Sequence, residues 1–221
     1  MTYPVIVKPV ELIAHANMKE YDTERRNFSW ERALSHLSDL GEGKINIAYE
    51  ALDRHLGTPI ETHTAIRFLA KDSEQAQDIS YAELAAQTNR FANLLKQLGL
   101  QPGDKVFCLS SRIPDLYIAA LGCLKHGCVF SPLFSAFGPE PIRARMEIGK
   151  PVAVITTEKL FAKKMADWIG QLPFLKHVLL IGNVEHCPDT AIPVRQRLTE
   201  CSADYKTQPM DPEAMALLHF T

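Results

Sequence analysis

Residues 106–132 read VFCLSSRIPDLYIAALGCLKHGCVFSP, and this stretch decides the fold class. Residues 106–109 and 128–132 are short apolar runs of the length that buried strands have. Between them, Pro114 begins a helix at a position where its missing amide N–H is not needed. Gly127 ends that helix, because glycine tolerates the left-handed conformation of a helix stop. Two apolar strands joined by one helix predict a parallel pair with a right-handed crossover.

The same alternation continues downstream. The sequence predicts a helix over residues 140–148 and a strand over residues 152–155. Thr157 is a capping residue for a further helix that runs to residue 169, and residues 178–181 form the next apolar strand. The fold class is therefore α/β, with a parallel sheet flanked by helices.

The flanking segments are less regular. Before residue 80, the pattern predicts a helix over 30–40, a helix over 46–56, a half-buried strand over 64–70 and a hairpin tip over 71–78. Ser80 and Glu83 have the spacing of a capping box, which begins a long helix that Gly99 ends. Residues 183–213 are polar and rich in proline, which predicts an irregular connection, and residues 214–220 form a last apolar strand.

Composition excludes several classes of function. The chain has 221 residues, 46% of them hydrophobic, which is enough for a substantial core. The formal net charge of −2 provides no electrostatic footprint for nucleic acid or for an anionic membrane. No apolar run approaches the ~20 residues of a membrane-spanning helix. We therefore expect neither a nucleic-acid partner nor a membrane partner, and Lys8 and Glu11 interrupt any signal peptide.

The cysteine and histidine residues do not predict a metal site. The five cysteines are odd in number and form no C-x-x-C motif, which indicates a reducing cytoplasm rather than a disulfide framework or a zinc site. We expect them to be small buried hydrophobic residues. His126 precedes the helix-ending Gly127, so we expect its side chain to cap the carbonyl groups there.

Pattern alone does not name a ligand. The sequence contains no G-x-G-x-x-G after a predicted strand, no Walker loop, no H-E-x-x-H and no G-x-S-x-G. A doubly wound sheet binds its ligand beyond the carboxyl ends of its strands, but the fold does not specify the chemistry. On this basis the chain is a cytosolic α/β domain.

Seven short strings carry a more specific signal. They read KINIAYE (44–50), LDRH (52–55), ISYAEL (79–84), NRFAN (89–93), GDKV (103–106), LKHGCVFSPL (124–133) and LLHFT (217–221). In this order and spacing, they resemble the N-terminal part of the AMP-forming acetyl-CoA synthetases, in particular the shorter bacterial ones, within the adenylate-forming superfamily. The resemblance implies the large N-terminal domain of that fold. Residues 1–44 would be an N-terminal extension and residues 45–221 the first part of the AMP-binding domain.

The resemblance implies a ligase that works in two steps. A carboxylate attacks the α-phosphate of ATP to give an acyl-adenylate and pyrophosphate, and the thiol of CoA then displaces AMP. The implied cofactors and partners are ATP, Mg²⁺, CoA and acetate. In the family, the glycine-rich phosphate loop, the acyl pocket and the catalytic lysine all lie downstream of the matching strings. The resemblance therefore assigns no catalytic residue to this chain and implies that the 221 residues alone are inactive.

The resemblance nominates two groups of phosphate contacts. Thr221 stands where the family chain enters its phosphate loop, so its hydroxyl either donates to a phosphate oxygen or is an ordinary strand-end group. Lys163 and Lys164 fall near family arginines that bind the 3′-phosphate of CoA. The alternative for both lysines is a solvated helix face, which is the usual place of surface lysines.

A second candidate contact with CoA is the string Phe134, Ser135, Ala136 and Phe137. It lines up with a Phe-Gly-Gly-Phe string that lies near the CoA nucleotide in acetyl-CoA synthetases. Here Ser135 and Ala136 replace both glycines, which limits how closely the backbone can approach a ligand. The alternative is a loop whose two aromatic side chains pack into the core.

Two other functions stay open. The acid could be propionate or a medium-chain carboxylate, which only the downstream acyl pocket would discriminate. The chain could also be a free-standing, non-catalytic domain that binds CoA or a protein partner. A coding sequence that continues after Thr221 into Ser-Gly-x-Thr-Gly would favour the ligase, and a stop codon there would favour the free-standing domain.

Overall fold

The structure is a computed structural model that describes residues 4, 7–14, 16, 18, 20–70 and 76–220. The chain divides into two compact units, Met1–Ser38 and Asp39–Thr221. The described part of the first unit contains α1 (Val10–Ala14), α2 (Tyr21–Asn27) and α3 (Trp30–Leu34), none of which has a buried residue. The predicted helix over 30–40 is therefore shorter than expected. The hydroxyl of Ser35 donates to the carbonyl of Arg32 at 2.7 Å, which competes with the helical hydrogen-bond ladder.

The described part of the second unit contains a two-stranded hairpin, a five-stranded sheet and six α-helices. The strands are β1 (Thr64–Leu69), β2 (Ala76–Ser80), β3 (Lys105–Leu109), β4 (Val129–Leu133), β5 (Ala153–Thr157), β6 (His177–Ile181) and β7 (Ala191–Pro193). The α-helices are α4 (Ile47–Ala51), α5 (Tyr81–Gln97), α6 (Pro114–Lys125), α7 (Pro139–Gly149), α8 (Glu158–Lys164) and α9 (Val194–Leu198).

The five-stranded sheet is parallel throughout and has the order β4-β3-β5-β6-β7. This confirms the α/β class and the parallel sheet flanked by helices. From β3 the chain moves to β4 at one edge of the sheet, and from β5 it moves through β6 to β7 at the opposite edge. The direction of winding thus reverses between β3 and β5, which is the switch point where sheets of this kind bind ligands.

Both faces of the sheet are buried, which explains why its strands are continuous apolar runs rather than alternating ones. Phe107 and Val154 point to one face, where α7 contributes Ile142 and Met146 to the core. On the opposite face, side chains of β3, β5 and β6 pack against α5, α6 and α9; they include Val106, Cys108, Ile155, Leu179, Phe91, Leu95, Cys123 and Val194. Cys108, Cys123, Cys128 and Cys201 are buried thiols, whereas Cys187 is exposed.

The long helix α5 begins and ends as predicted. The backbone N–H of Ser80 donates to the carboxylate of Glu83 at 2.8 Å, and the hydroxyl of Ser80 accepts from the N–H of Glu83 at 3.2 Å. These two bonds form the predicted capping box. Gly99 has φ +80°, the left-handed conformation predicted for the helix stop.

Three further predicted element bounds are wrong. The helix over 46–56 is α4 followed by a 3₁₀ turn at Asp53–His55. The predicted hairpin tip over 71–78 overlaps β2, while residues 71–75 lie outside the described part. The helix capped by Thr157 ends at Lys164 instead of residue 169, because the indole N–H of Trp168 donates to the Lys164 carbonyl at 2.8 Å in place of a backbone N–H.

The last two segments also differ from the prediction. The irregular connection predicted over 183–213 contains the short elements β7 and α9. The strand predicted over 214–220 forms only one parallel bridge to β4, between Leu217 and Phe130. The N–H of Phe130 donates to the carbonyl of Ala216 at 2.9 Å, and the N–H of Leu218 donates to the carbonyl of Phe130 at 3.0 Å. The next donor along β4 would belong to Pro132, which has no N–H, so the ladder stops.

No helix in the described ranges combines the length and the hydrophobicity that crossing a lipid bilayer requires.

We predict that Gly149→Ala destabilises the fold. A Cβ at Gly149 would lie 2.3 Å from Cζ of Phe107, whose side chain is fully buried and has no room to move. Overpacking of this kind lowers the free energy of unfolding by about 1–3 kcal/mol. Urea unfolding followed by circular dichroism measures the change.

Gly170→Ala is the matched control, because no described atom lies within 4 Å of a Cβ at Gly170. It should change the free energy of unfolding by less than about 0.5 kcal/mol. Equal effects of the two substitutions would contradict the close packing of Gly149 on Phe107.

Candidate functional site

The predicted CoA-contacting string is the loop that leaves the carboxyl end of β4. It makes a tight turn in which the N–H of Phe137 donates to the carbonyl of Phe134 at 3.0 Å. The two rings meet edge to face, with centroids 5.6 Å apart. Phe134 is 64% exposed, whereas Phe137 is half-buried, so only one of the two aromatic side chains packs inward.

Lys164 lies against this loop. Its ammonium group donates to the carbonyl of Ser135 at 2.5 Å and to the carbonyl of Phe137 at 2.6 Å. These bonds occupy two of the three donors of the ammonium group, and the side chain is half-buried. Lys163, the preceding residue of α8, is exposed. The structure therefore brings Lys164 together with the loop and leaves Lys163 on the surface.

Arg145, which the sequence analysis did not identify, contacts the other side of the loop. Its guanidinium group lies 4.4 Å from the ring centroid of Phe137 and 5.8 Å from that of Phe220. Phe220 packs edge to face on Phe107 of β3, with centroids 5.8 Å apart. Thr221 lies outside the described residues. The loop 134–137 and the segment that leads to Thr221 nevertheless meet at one side chain.

A buried cation joins the strings that suggested the family. The side chain of Lys125 is fully buried, and its Nζ lies 2.6 Å from Oδ1 of Asp53. The same Nζ donates to Oδ1 of Asn89 at 2.5 Å. The second carboxylate oxygen of Asp53 accepts from the hydroxyl of Thr207 at 2.5 Å. Burial lowers the pKa of Lys125, and the hydrogen bond and charge of Asp53 oppose that shift.

A second polar group reinforces this junction. The side-chain oxygen of Asn46 accepts from the N–H of Ala48 at 2.8 Å, which caps α4. Its amide nitrogen donates to the carbonyl of Leu124 at 2.8 Å and to that of Gln208 at 2.9 Å. Asn46 therefore ties the start of α4 to the end of α6 and to the segment beyond α9.

His126 does not cap the helix that it follows, so that prediction is wrong. Its Nε2 lies 2.8 Å from the carbonyl of Leu100, and its Nδ1 lies 2.6 Å from the hydroxyl of Tyr205. A carbonyl oxygen only accepts, so Nε2 carries a proton, and in the neutral imidazole Nδ1 then accepts from the tyrosine. Burial raises the pKa of Tyr205 to about 12.

A cleft of about 1020 Å³ opens at the carboxyl ends of β5 and β6 and is lined by both polar and apolar side chains. Asp115, at the start of α6, accepts two hydrogen bonds of 2.9 Å from Arg195 of α9 and one of 3.2 Å from the N–H of Gly182. Burial would raise the pKa of Asp115, but these hydrogen bonds and the charge of Arg195 outweigh it and lower the pKa. This ion pair closes one side of the cleft and fixes α9 to α6.

Comparisons with known proteins agree on one family. A family model described as AMP-binding enzyme matches residues 57–221. The acetyl-coenzyme A synthetase of Bacillus subtilis is 32% identical over 206 residues, which cover 93% of this chain and 35% of the relative. The acetyl-coenzyme A synthetase of Syntrophus aciditrophicus is 32% identical over 194 residues, which cover 81% of this chain and 29% of the relative. The chain thus spans about a third of the length of these curated relatives.

Solved structures share the fold. The crystal structure of a Brucella canis acyl-CoA synthetase matches with a TM-score of 0.80 and 25% identity, over 91% of this chain and 36% of that one. An anthranilate CoA ligase in complex with anthranoyl-AMP matches with a TM-score of 0.70 and 18% identity, over 80% of this chain and 32% of that one. The latter similarity concerns the fold alone.

We predict that Asp53→Leu lowers the free energy of unfolding by about 3–5 kcal/mol at pH 7, because it leaves Lys125 buried without its counter-charge. Without Asp53, the pKa of Lys125 falls further below its value in the unfolded chain. The unfolded chain then binds the extra proton, so the stability of the variant rises with pH up to the unfolded value of about 10.4. Urea unfolding at several pH values measures both effects.

The double variant Asp53→Leu/Lys125→Met is the control, since it removes both charges. It should recover most of the lost stability and lose the additional pH dependence. A single variant as stable as the original chain at pH 7 would contradict the buried ion pair.

Proposed function

The chain belongs to the AMP-binding enzyme family, and we propose that it is the N-terminal part of a ligase that joins acetate, or another short carboxylate, to CoA. In the first step, the carboxylate attacks the α-phosphate of ATP, which gives acyl-AMP and pyrophosphate. In the second step, the CoA thiol attacks the acyl carbon and AMP leaves. The observation that carries the proposal is the alignment of 206 residues, 93% of this chain, with an acetyl-coenzyme A synthetase.

The arrangement of the loop 134–137 supports a place for CoA at the carboxyl end of β4. The exposed ring of Phe134 offers a surface for a nucleotide, while Ser135 and Ala136 offer backbone contacts. The ammonium group of Lys164 is engaged with two carbonyl groups of this loop. Its role is therefore to shape the loop, and the exposed Lys163 is the better candidate for the 3′-phosphate of CoA.

ATP and Mg²⁺ would be bound at Thr221 and by residues that follow it in the proposed enzyme. We assign Thr221 to the entry of the ATP phosphate loop, with residues 1–44 as an extension and residues 45–221 as the first part of the AMP-binding domain. Mg²⁺ would neutralise phosphate charge during adenylation. Mg²⁺ is usually held by one or two carboxylates together with the phosphates of a substrate, so the ion would be bound with the nucleotide. The described residues include no group of three or more His, Cys, Asp or Glu side chains placed to hold a metal ion. The proposed enzyme acts in the cytoplasm.

This chain would contribute binding and positioning, and the chemistry would depend on groups beyond it. The described residues supply a rigid sheet, the loop 134–137 and the backbone that leads to Thr221. Holding the CoA thiol beside the acyl carbon is chiefly a matter of positioning, which is worth a large share of the barrier in reactions of this kind.

We predict that the purified 221-residue chain does not catalyse acetate-dependent exchange of pyrophosphate into ATP, because it lacks a complete phosphate loop. The product of the whole reading frame should catalyse the exchange and form acyl-CoA. A panel of acetate, propionate and hexanoate would identify the acid.

Exchange of pyrophosphate into ATP by the isolated 221 residues would contradict the proposal that the chemistry depends on groups beyond this chain. A reading frame that stops after Thr221, together with CoA binding by the chain, would instead support the free-standing binding domain.

A further inference from the structure

We infer that Arg145 is a positioning residue that holds the loop 134–137 against the segment 214–220 and thereby sets the affinity for CoA. The inference rests on the proposed function, since it takes CoA to contact the loop 134–137. It goes beyond that function because it assigns a role to Arg145, which is half-buried and is not one of the proposed contacts with CoA.

The contacts of Arg145 link the two segments directly. The guanidinium group is 4.4 Å from the ring centroid of Phe137 and 5.8 Å from that of Phe220, both within the range of cation–π attraction. One terminal nitrogen donates to the carbonyl of Pro141 at 3.0 Å, in the first turn of the same helix. That bond restrains the side chain of Arg145, so the position of its guanidinium group is set by α7.

The aromatic rings are the main partners of this cation. Nε of Arg145 is buried without a hydrogen-bond partner among the described residues, and none of the ion pairs in that part of the chain includes Arg145. A planar, weakly hydrated guanidinium group suits a site between ring faces, whereas an ammonium group does not. The site therefore selects arginine for its shape as well as for its charge.

The loop is fixed from two directions. Lys164 binds its backbone through the carbonyls of Ser135 and Phe137, and Arg145 contacts the ring of Phe137. On the other side of Arg145, Phe220 packs on Phe107, which is fully buried in the sheet. A continuous set of contacts thus runs from the proposed CoA loop through Arg145 to Phe220, which precedes Thr221. From Phe220 it continues to Phe107 in the core.

The test is steady-state kinetics of the full-length product of the reading frame with Arg145→Met. We expect the KM for CoA to rise about tenfold, the equivalent of one desolvated cation–π contact. Acetate-dependent pyrophosphate exchange does not involve CoA and should change by less than about twofold, because the hydrogen bonds of Phe130 to Ala216 and Leu218 still hold the segment 214–220 when Arg145 is replaced. A residue that only stabilised the fold would lower both activities together.

Arg143→Met is the matched control, with the same substitution two residues earlier on α7. Arg143 pairs with Glu147 at 2.9 Å, and the aromatic ring it faces is that of Trp168, whose centroid lies 6.0 Å away. It should leave the KM for CoA unchanged. Thermal unfolding of each variant verifies that the fold is retained.

A double-mutant cycle with Phe137→Leu decides whether the two side chains act together. If Arg145 acts through Phe137, the double variant will have a KM for CoA no higher than the worse single variant. An unchanged KM for CoA in Arg145→Met, or effects that multiply in the double variant, would overturn the inference. A full-length product that makes no acyl-CoA from any short acid would instead overturn the proposed function, and the role of Arg145 with it.

Discussion

Two hydrogen bonds to Phe130 determine the layout of the candidate site. The N–H and the carbonyl of this residue bind Ala216 and Leu218, which places the segment 214–220 along the free edge of β4. The same strand, three residues later, releases the loop 134–137. The proposed CoA loop and the backbone that precedes the proposed phosphate loop are therefore neighbours because one strand carries both. Pro132 confines their pairing to a single bridge, since it offers no N–H for the next bond.

The buried ion pair brings together strings that lie far apart in the sequence. Asp53, Asn89 and Lys125 come from three of the strings that resemble the acetyl-CoA synthetases, and they meet at one ammonium group. Transfer of a charge from water into the core is costly, so a buried lysine is retained only where several partners satisfy it. The network therefore joins α5, α6 and the turn after α4 in one arrangement and supports β4, which begins four residues after Lys125.

Local signals in the sequence were enough for the four longer strands of the parallel sheet and for the long helices α5 and α6. The capping box at Ser80, the proline that begins α6 and the glycine that ends it act within one helical turn, so their effects are visible without tertiary contacts. The elements β7 and α9 were not predicted because they are three and five residues long, which is too short for a hydrophobic periodicity to be recognised. The end of α8 was misplaced because a side chain of Trp168 replaces a backbone donor.

The site was predictable only in part, for a physical reason. The resemblance supplied the loop 134–137 and the two lysines, and the structure shows that Lys164 lies on that loop. Arg145 was missed because its partner Phe220 lies 75 residues away along the chain, and its surroundings in the sequence are those of an ordinary helix. Lys125 was missed because a buried lysine and an exposed one look alike in a sequence; only the partners from other segments distinguish them.

The most direct test of this account is amide hydrogen exchange of the 221-residue chain, measured residue by residue by NMR. If β4 holds the segment 214–220, the amides of Phe130 and Leu218 should exchange at least about a hundredfold more slowly than in an unfolded peptide, as expected for hydrogen bonds that open only when structure is lost. Rapid exchange of Leu218, with the amide of Phe107 in the central strand β3 still protected, would contradict the central claim that one strand places both of the proposed ligand-binding segments.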